Sequence, residues 1–311
     1  MPSTKSIKQR IRSVKNTAQI TKAMEVVSAT KMRRSQEWAL RARPYAVVSL
    51  EILQNLLLRT PERLLPPLLT RRPVHHSLLV VATSDKGLAG AFNVHVIRRA
   101  EQWIKEKRQK DESFLLLCVG KKARDYFERR GVPITKAFSG FGDFTTLAET
   151  LPVAEMVLDG FLHGRWDEVE AVYMNFRTTL RQEVSLKKIL PAHKERIEEA
   201  VRGILPERGR YSESGIWNME SGIRYNYEYK FEPSPAEILE QLVPQLIRMQ
   251  IHHIILESNA SEHSARMVAM KNASDNAGEL IDDLTLAYNK ARQANITREL
   301  VEITAGAESM R

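Results

Sequence analysis

The feature that most limits how this chain can fold is helical periodicity at both ends, sustained for longer than a compact domain can hold. No glycine occurs in residues 1–86, and Pro44 is the one early helix breaker. Apolar residues recur at Ile7, Ile11, Val14 and Ala18, spaced by four, three and four, and Ile20, Met24 and Val27 are expected to continue the stripe one step around. Lys and Arg fill the other faces, so the stripe is a narrow seam for one partner helix. Val47, Val48, Leu50, Leu53, Leu56 and Leu57 resume it after Pro44. A helix from about Ser3 to about Arg59, bent near Pro44, would be a rod of roughly 85 Å. Such a rod needs a partner.

The partner is expected at the other end. Ser234-Pro235-Ala236-Glu237 reads as an N-cap followed by proline at the first helical position. From there to about Glu308 only Pro244, Gly278 and, at the very end, Gly306 interrupt. Leu239, Leu242, Leu246 and Met249 form one heptad-like stripe, and Leu280, Leu284, Ala287, Ala291 and Ala294 another. At the usual rise this helix is roughly 110 Å long, so an antiparallel pair leaves the C-terminal helix projecting further. Two separate helices in a large bundle are the alternative, but little else in the chain could complete such a bundle.

Between the helices the pattern changes. Ser77–Thr83, Ser113–Gly120, Val132–Thr135 and Glu168–Phe176 read as strands, with helices over Leu88–Lys107, Lys121–Arg130 and Thr145–His163. This alternation predicts a Rossmann-like α/β domain with a mostly parallel sheet. Val184–Leu190 and the alternating Tyr225, Tyr227, Tyr229 and Phe231 are further strand candidates, the second a half-exposed edge. The predicted organisation is a discontinuous coiled-coil shaft, residues 1–75 with 233–311, and an α/β foot, residues 76–232, carrying an irregular insertion near 192–224.

Net charge is confined to one segment. Residues 1–45 hold eleven Lys and Arg against two acids, and the remainder balances at 36 against 36, so the net +9 belongs to the first helix. It faces an acidic partner, nucleic acid, an anionic membrane surface, or solvent. Residues 1–37 contain no aromatic side chain for base stacking. No apolar run approaches the roughly 18 to 20 residues of a membrane span. The N-terminus shows neither a signal core nor a presequence, which points to a protein that stays where it is made. Cys118, the single cysteine, lies in the apolar run Phe114–Val119 and reads as a buried thiol.

Catalytic chemistry is not legible. Ser84-Asp85-Lys86-Gly87-Leu88-Ala89-Gly90 sits where phosphate loops occur, but it matches neither dinucleotide nor P-loop spacing and reads as a tight turn. The pairs His75-His76 and His252-His253 do not have metal-ligand spacing, and no nucleophile elbow is present. No catalytic residue, cofactor or metal is predicted.

Two long segments carry a resemblance. Residues 7–24, Ile-Lys-Gln-Arg-Ile-Arg-Ser-Val-Lys-Asn-Thr-Ala-Gln-Ile-Thr-Lys-Ala-Met, resemble the N-terminal signature of the F-type ATP synthase γ subunit family. Glu257-Ser258, Ser261-Glu262, Ala265–Met270 and Tyr288–Thr297 resemble its C-terminal signature; with Ser84–Leu88 and Phe231-Glu232-Pro233 the resemblance covers essentially the whole chain. Ala89 stands where many members have cysteine, and residues 192–224 are longer than in the compact bacterial form.

The resemblance implies a non-catalytic rotor of the central stalk, coupling proton flow through a membrane c ring to ATP synthesis on the β subunits. Its partners would be the α3β3 hexamer, the ε subunit and the c ring. No nucleic acid and no direct insertion into the bilayer are expected. Met24, Lys22 and Lys31 would contact the lower β lever, with an ordinary seam position as the alternative for Met24. Arg292, Gln293 and Thr297 would hydrogen-bond a β collar. Val301, Ile303, Ala305 and Ala307 would form an apolar bearing tip, and Tyr225, Tyr227, Tyr229 and Glu232 would approach ε or the ring. The expected location is peripheral, on the cytoplasmic side of a bacterial inner membrane. Competing readings are a basic coiled-coil adaptor for an acidic partner or nucleic acid, and a Rossmann-type enzyme.

Overall fold

The computed structural model describes residues 3–41, 52–53, 55–141, 145–179, 181–192 and 230–309. Helix α1 spans Thr4–Arg41. Its expected extension to Arg59 crosses residues 42–51 and 54, outside the described residues, beyond which 52–53 and 55–59 are helical. Then follow β1 (His76–Ala82), α2 (Phe92–Gln109), β2 (Ser113–Val119), α3 (Lys121–Glu128), β3 (Ile134–Phe138), α4 (Leu147–Leu162), β4 (Glu168–Phe176), β5 (Gln182–Leu190) and α5 (Pro235–Ser309). The aromatic strand expected at Tyr225–Phe231 and the insertion near 192–224 fall almost wholly outside the described residues.

The chain divides into two compact units, residues 1–29 with 266–311, and residues 30–265. Residues 30–75 and 233–265, grouped with the shaft on sequence, cluster with the sheet. In the larger unit the strand order is β3-β2-β1-β4-β5. The first four strands are parallel and β5 is antiparallel to β4. Strand β3 starts at Ile134, two residues later than predicted, and runs on to Phe138 because Lys136–Phe138 stay in register with Leu117–Val119.

The apolar run of β1 is buried on both faces, as parallel strands require. Leu78, Val80 and Ala82 point into a layer formed with Val153, Val157 and Phe161 of α4 and with Leu239, Val243, Ile247, Ile251 and Ile254 of α5. Leu79 and Val81 point the other way, to Val96, Ala100 and Trp103 of α2 and Phe127 of α3. Leu242 and Leu246, expected in a coiled-coil stripe, pack instead against the sheet core. Helix α4 begins with a reciprocal capping box between Thr146 and Glu149. At one end of the sheet Lys107 Nζ donates to Glu112 at 2.6 Å and to Glu168 at 2.8 Å, and Lys188 also reaches Glu168.

In the smaller unit, a stripe of sheltered positions on α1 runs through Ile7, Ile11, Val14, Ala18, Thr21, Glu25 and Ser28, with spacings that alternate four and three and with Met24 half-buried as expected. Those of α5 are Met270, Ser274, Ala277, Ile281, Leu284, Tyr288 and Ala291, with the same alternation and over the same length. These matched narrow stripes are the two sides of the antiparallel coiled coil. The expected continuation was displaced by one residue: Ile20 and Val27 are 60% and 51% exposed, while Thr21 and Ser28 are buried. A strict seven-residue repeat from Ile7 and Ile11 arrives at Thr21, Glu25 and Ser28 whatever their polarity. Thr21 meets this cheaply, since its hydroxyl donates to the Thr17 and Ala18 carbonyls at 3.1 and 3.0 Å. Likewise Leu280, Ala287 and Ala294 are exposed, and Ile281 and Tyr288 take the seam beside Leu284 and Ala291.

Candidate functional site

In an open parallel sheet the ligand crevice lies beyond the carboxyl ends of the strands, where the strand order reverses. Here that point falls between β1 and β4. The chain fills it with its own helix α5, whose side chains from Ile251 to Ser258 are all buried. Ser258 Oγ donates to the Ala82 carbonyl at the end of β1, at 3.4 Å. Ser261 Oγ donates to the Met174 carbonyl near the end of β4 at 3.0 Å, and Ser264 Oγ donates to the Thr179 carbonyl beyond it at 2.7 Å.

From the α4 side, Asn259 Nδ2 donates to Thr145 Oγ1, and His252 Nδ1 lies against Thr150 Oγ1, each at 3.0 Å. Burial, reinforced by neighbouring His253, depresses the His252 pKa to about 4, so this imidazole is neutral at pH 7. His253 Nε2 lies 2.9 Å from Glu257. Burial, then the nearby Glu257 carboxylate, pushes the Tyr173 hydroxyl well above the usual phenol range. Sequence reading missed this polar stretch. Its signal was three serines spaced by three on one helix, with no clue to the partners.

The loop at Ser84–Gly90 is a locked turn, as its sequence suggested. The Ser84 backbone N–H donates to Asn93 Oδ1, and Asn93 Nδ2 donates back to Ser84 Oγ. Asp85 accepts from the backbone N–H groups of Lys121 and Gly140. Gly120, with φ of 99°, lies so close to β1 that a Cβ there would meet the Thr83 carbonyl oxygen at 2.1 Å. Cys118 is buried, and loss of hydration raises its pKa to about 12, which leaves an inert thiol. Among the described residues no group of three or more His, Cys, Asp or Glu could hold a metal. Nor is any described helix long and apolar enough to cross a membrane.

In the smaller unit the predicted residues lie on its surface. Lys5, Lys8, Arg10, Arg12, Lys15 and Lys22 are all exposed on α1. Lys22 pairs with Glu25 at 3.0 Å, and Met24 is half-buried beside the seam; Lys31, also half-buried, belongs to the larger unit. On α5 every described side chain from Arg292 to Ala305 is exposed, including Gln293, Thr297, Val301 and Ile303. Thr297 Oγ1 donates only to the Gln293 carbonyl one turn back. The side chain of Ala307 and residues Tyr225, Tyr227 and Tyr229 lie outside the described residues. Glu232 is exposed and pairs with Lys230 at 2.5 Å. The described residues among those predicted on α1 and α5 lie along helix surfaces.

Comparison with known proteins agrees with this arrangement. The ATP synthase family model matches residues 3–310. The ATP synthase gamma chain of Roseiflexus castenholzii is 43% identical over 311 residues, covering 100% of this chain and 99% of that one. That of Geobacter sp. is 40% identical and covers both chains fully. Among solved structures, a chain of the Euglena gracilis mitochondrial ATP synthase, in a structure of OSCP, F1 and c-ring, superposes with a TM-score of 0.64 at 18% identity, covering 99% of this chain and 94% of that chain. One from the Tetrahymena thermophila central stalk and c-ring gives 0.57 at 23% identity, covering 82% and 99%. Full-length identity of this order establishes the relationship, and the solved structures share the fold: the chain belongs to the ATP synthase γ-chain family, the non-catalytic central-stalk rotors of F-type ATP synthase.

Proposed function

We propose that this chain is the axle within an α3β3 hexamer, with ε and a membrane c ring at its sheet-bearing end, peripheral on the cytoplasmic side of a bacterial inner membrane. The observation that carries this reading is the end of α5. After Ala291 the seam stops, yet the helix continues with Ile296, Leu300, Val301 and Ile303 exposed. Apolar side chains left exposed along a helix end, uncovered among the described residues, call for a surrounding partner. A sleeve that holds them by non-directional contacts lets them turn, whereas directional bonds would hold them at one angle.

Torque reaches the catalytic subunits through the sides of the axle. The basic surface of α1 favours acidic loops on β subunits, with Met24, Lys22 and Lys31 at that contact. Arg292, Gln293 and Thr297 supply hydrogen bonds to a β collar, and Val301, Ile303, Ala305 and Ala307 form the bearing. Glu232, with Tyr225, Tyr227 and Tyr229, faces ε or the ring. Because the pair presents different side chains around its girth, each of three β subunits meets a different face and is biased toward a different nucleotide affinity.

Purification with α and β subunits, followed by reconstitution into vesicles, tests this reading. Met24→Lys is expected to lower ATP-driven proton pumping relative to ATP hydrolysis, because the added charge grips an acidic loop. An unchanged ratio removes Met24 from the coupling surface. Failure of the chain to co-purify with α and β subunits, with retention of nucleic acid instead, points to the adaptor.

A further inference from the structure

In the middle of a helix a serine hydroxyl ordinarily bonds back to a carbonyl one turn earlier or faces water. Ser258, Ser261 and Ser264 do neither. They are 4%, 0% and 0% exposed, and each donates to a carbonyl far away in sequence. Positions three apart on a helix form an oblique ridge, and this ridge crosses the sheet end from β1, over neighbouring β4, to the turn that follows β4. Serine is small enough to bring the α5 backbone close to the strand ends. From the other side Asn259 and His252 tie the same stretch to Thr145 and Thr150.

The mechanical consequence follows from the kind of contact. The hydrophobic effect is non-directional, so apolar contacts fix the angle of a helix about its axis less sharply than hydrogen bonds do. Hydrogen bonds weaken steeply once distance and angle are lost. Three of them, set off the helix axis and anchored on different parts of a rigid sheet, oppose rotation and axial slip together. The residues needed to hold a helix in place are available as Ile251, Ile254 and Ile255; the serines add a fixed angle.

We propose that Ser258, Ser261 and Ser264 are a torque key, which locks the rotation of α5 to the sheet so that a turning force on the sheet turns the helix that continues beyond Ala265. This rests on the axle reading above and adds positioning residues that touch neither nucleotide nor another subunit.

The test uses the assembled, membrane-reconstituted complex carrying Ser258→Ala, Ser261→Ala and Ser264→Ala together. ATP hydrolysis is expected to stay at the wild-type rate, while protons pumped per ATP fall by about threefold or more, since the three bonds to the strand ends are gone and the packing and the Asn259 and His252 ties remain. A probe fixed to the sheet domain, with α3β3 immobilised, is expected to show about twice the wild-type angular spread at each dwell. Ile254→Val, which trims apolar contact in the same stretch, is expected to leave both readouts at wild type. Unchanged pumping and angular spread in the triple variant overturn the key, as does equal broadening from Ile254→Val. If the triple variant fails to assemble, Ser261→Ala alone carries the test: a measurably wider spread supports the key and an unaltered one overturns it. A wild-type complex without coupled pumping defeats the axle reading itself, whereas coupled wild type with indifferent variants defeats only the key.

Discussion

Helix α5 has two stretches in which burial and side-chain polarity run against each other. From Ile251 to Ser264 it is enclosed almost all round, and serines, asparagine and histidine there reach the sheet and α4 through directional bonds. From Arg292 to Ala305 it is exposed all round and carries isoleucine, leucine and valine outward. Polarity read one residue at a time would assign these stretches the wrong way about. On the proposed reading, the polar contacts lie where the angle must be fixed, and the apolar side chains where it must be free.

If the sheet unit is rigid and the shaft forgiving, equal chemical insults must differ between them, and two glycines make the sharpest contrast. A Cβ at Gly160 would lie 1.9 Å from Trp166 Cζ2, and that indole is buried and tied through Nε1 to the Val157 carbonyl. Gly160→Ala is expected to cost on the order of 3 kcal/mol or more, read as a lower midpoint in thermal melts. Next comes Lys107→Ala, which strips Glu168 of one of its two cationic partners in a buried setting. A loss of about 2 to 3 kcal/mol is expected in denaturant titration. A loss under about 0.5 kcal/mol would show that this end of the sheet yields as readily as the shaft surface.

The third expectation concerns pH. Because the His252 pKa is depressed to about 4 from an ordinary 6.5, the unfolded chain takes up a proton that the folded chain refuses. Stability should therefore fall as pH drops from about 6.5 toward 4, by on the order of 2 kcal/mol, and His252→Gln should flatten that slope. A slope untouched by the substitution would place the acid sensitivity elsewhere. The smallest effect belongs to the shaft. Nothing lies within 4 Å of a Cβ at Gly278, so Gly278→Ala should raise the melting midpoint through about 0.5 to 1 kcal/mol of backbone entropy. A destabilising outcome would reveal close packing on the shaft and blur the contrast.

Much of the architecture was legible in the residues. The long terminal helices, the buried strand at Glu168–Phe176 and the alternation of strands with helices all rest on local periodicity, which a single segment displays by itself. The seam of α1 was legible only as far as Ala18. Beyond it the apolarity of Ile20 and Val27 competed with the seven-residue repeat, and the repeat prevailed because the pitch of a paired helix is set by all its turns together. The same slip moved the α5 seam from Leu280 to Ile281. The torque key was not legible at all, since its hydroxyls and their acceptors lie 176, 87 and 85 residues apart.

By itself, then, the order of residues determined which segments become helix or strand and that the two ends would need each other, because these follow from spacing along one chain. Tertiary structure decided which serines would be buried as anchors and which isoleucines left outside. A hydroxyl becomes an anchor only when folding brings a distant carbonyl to it, and an apolar side chain stays exposed when the fold turns it away from the packed face.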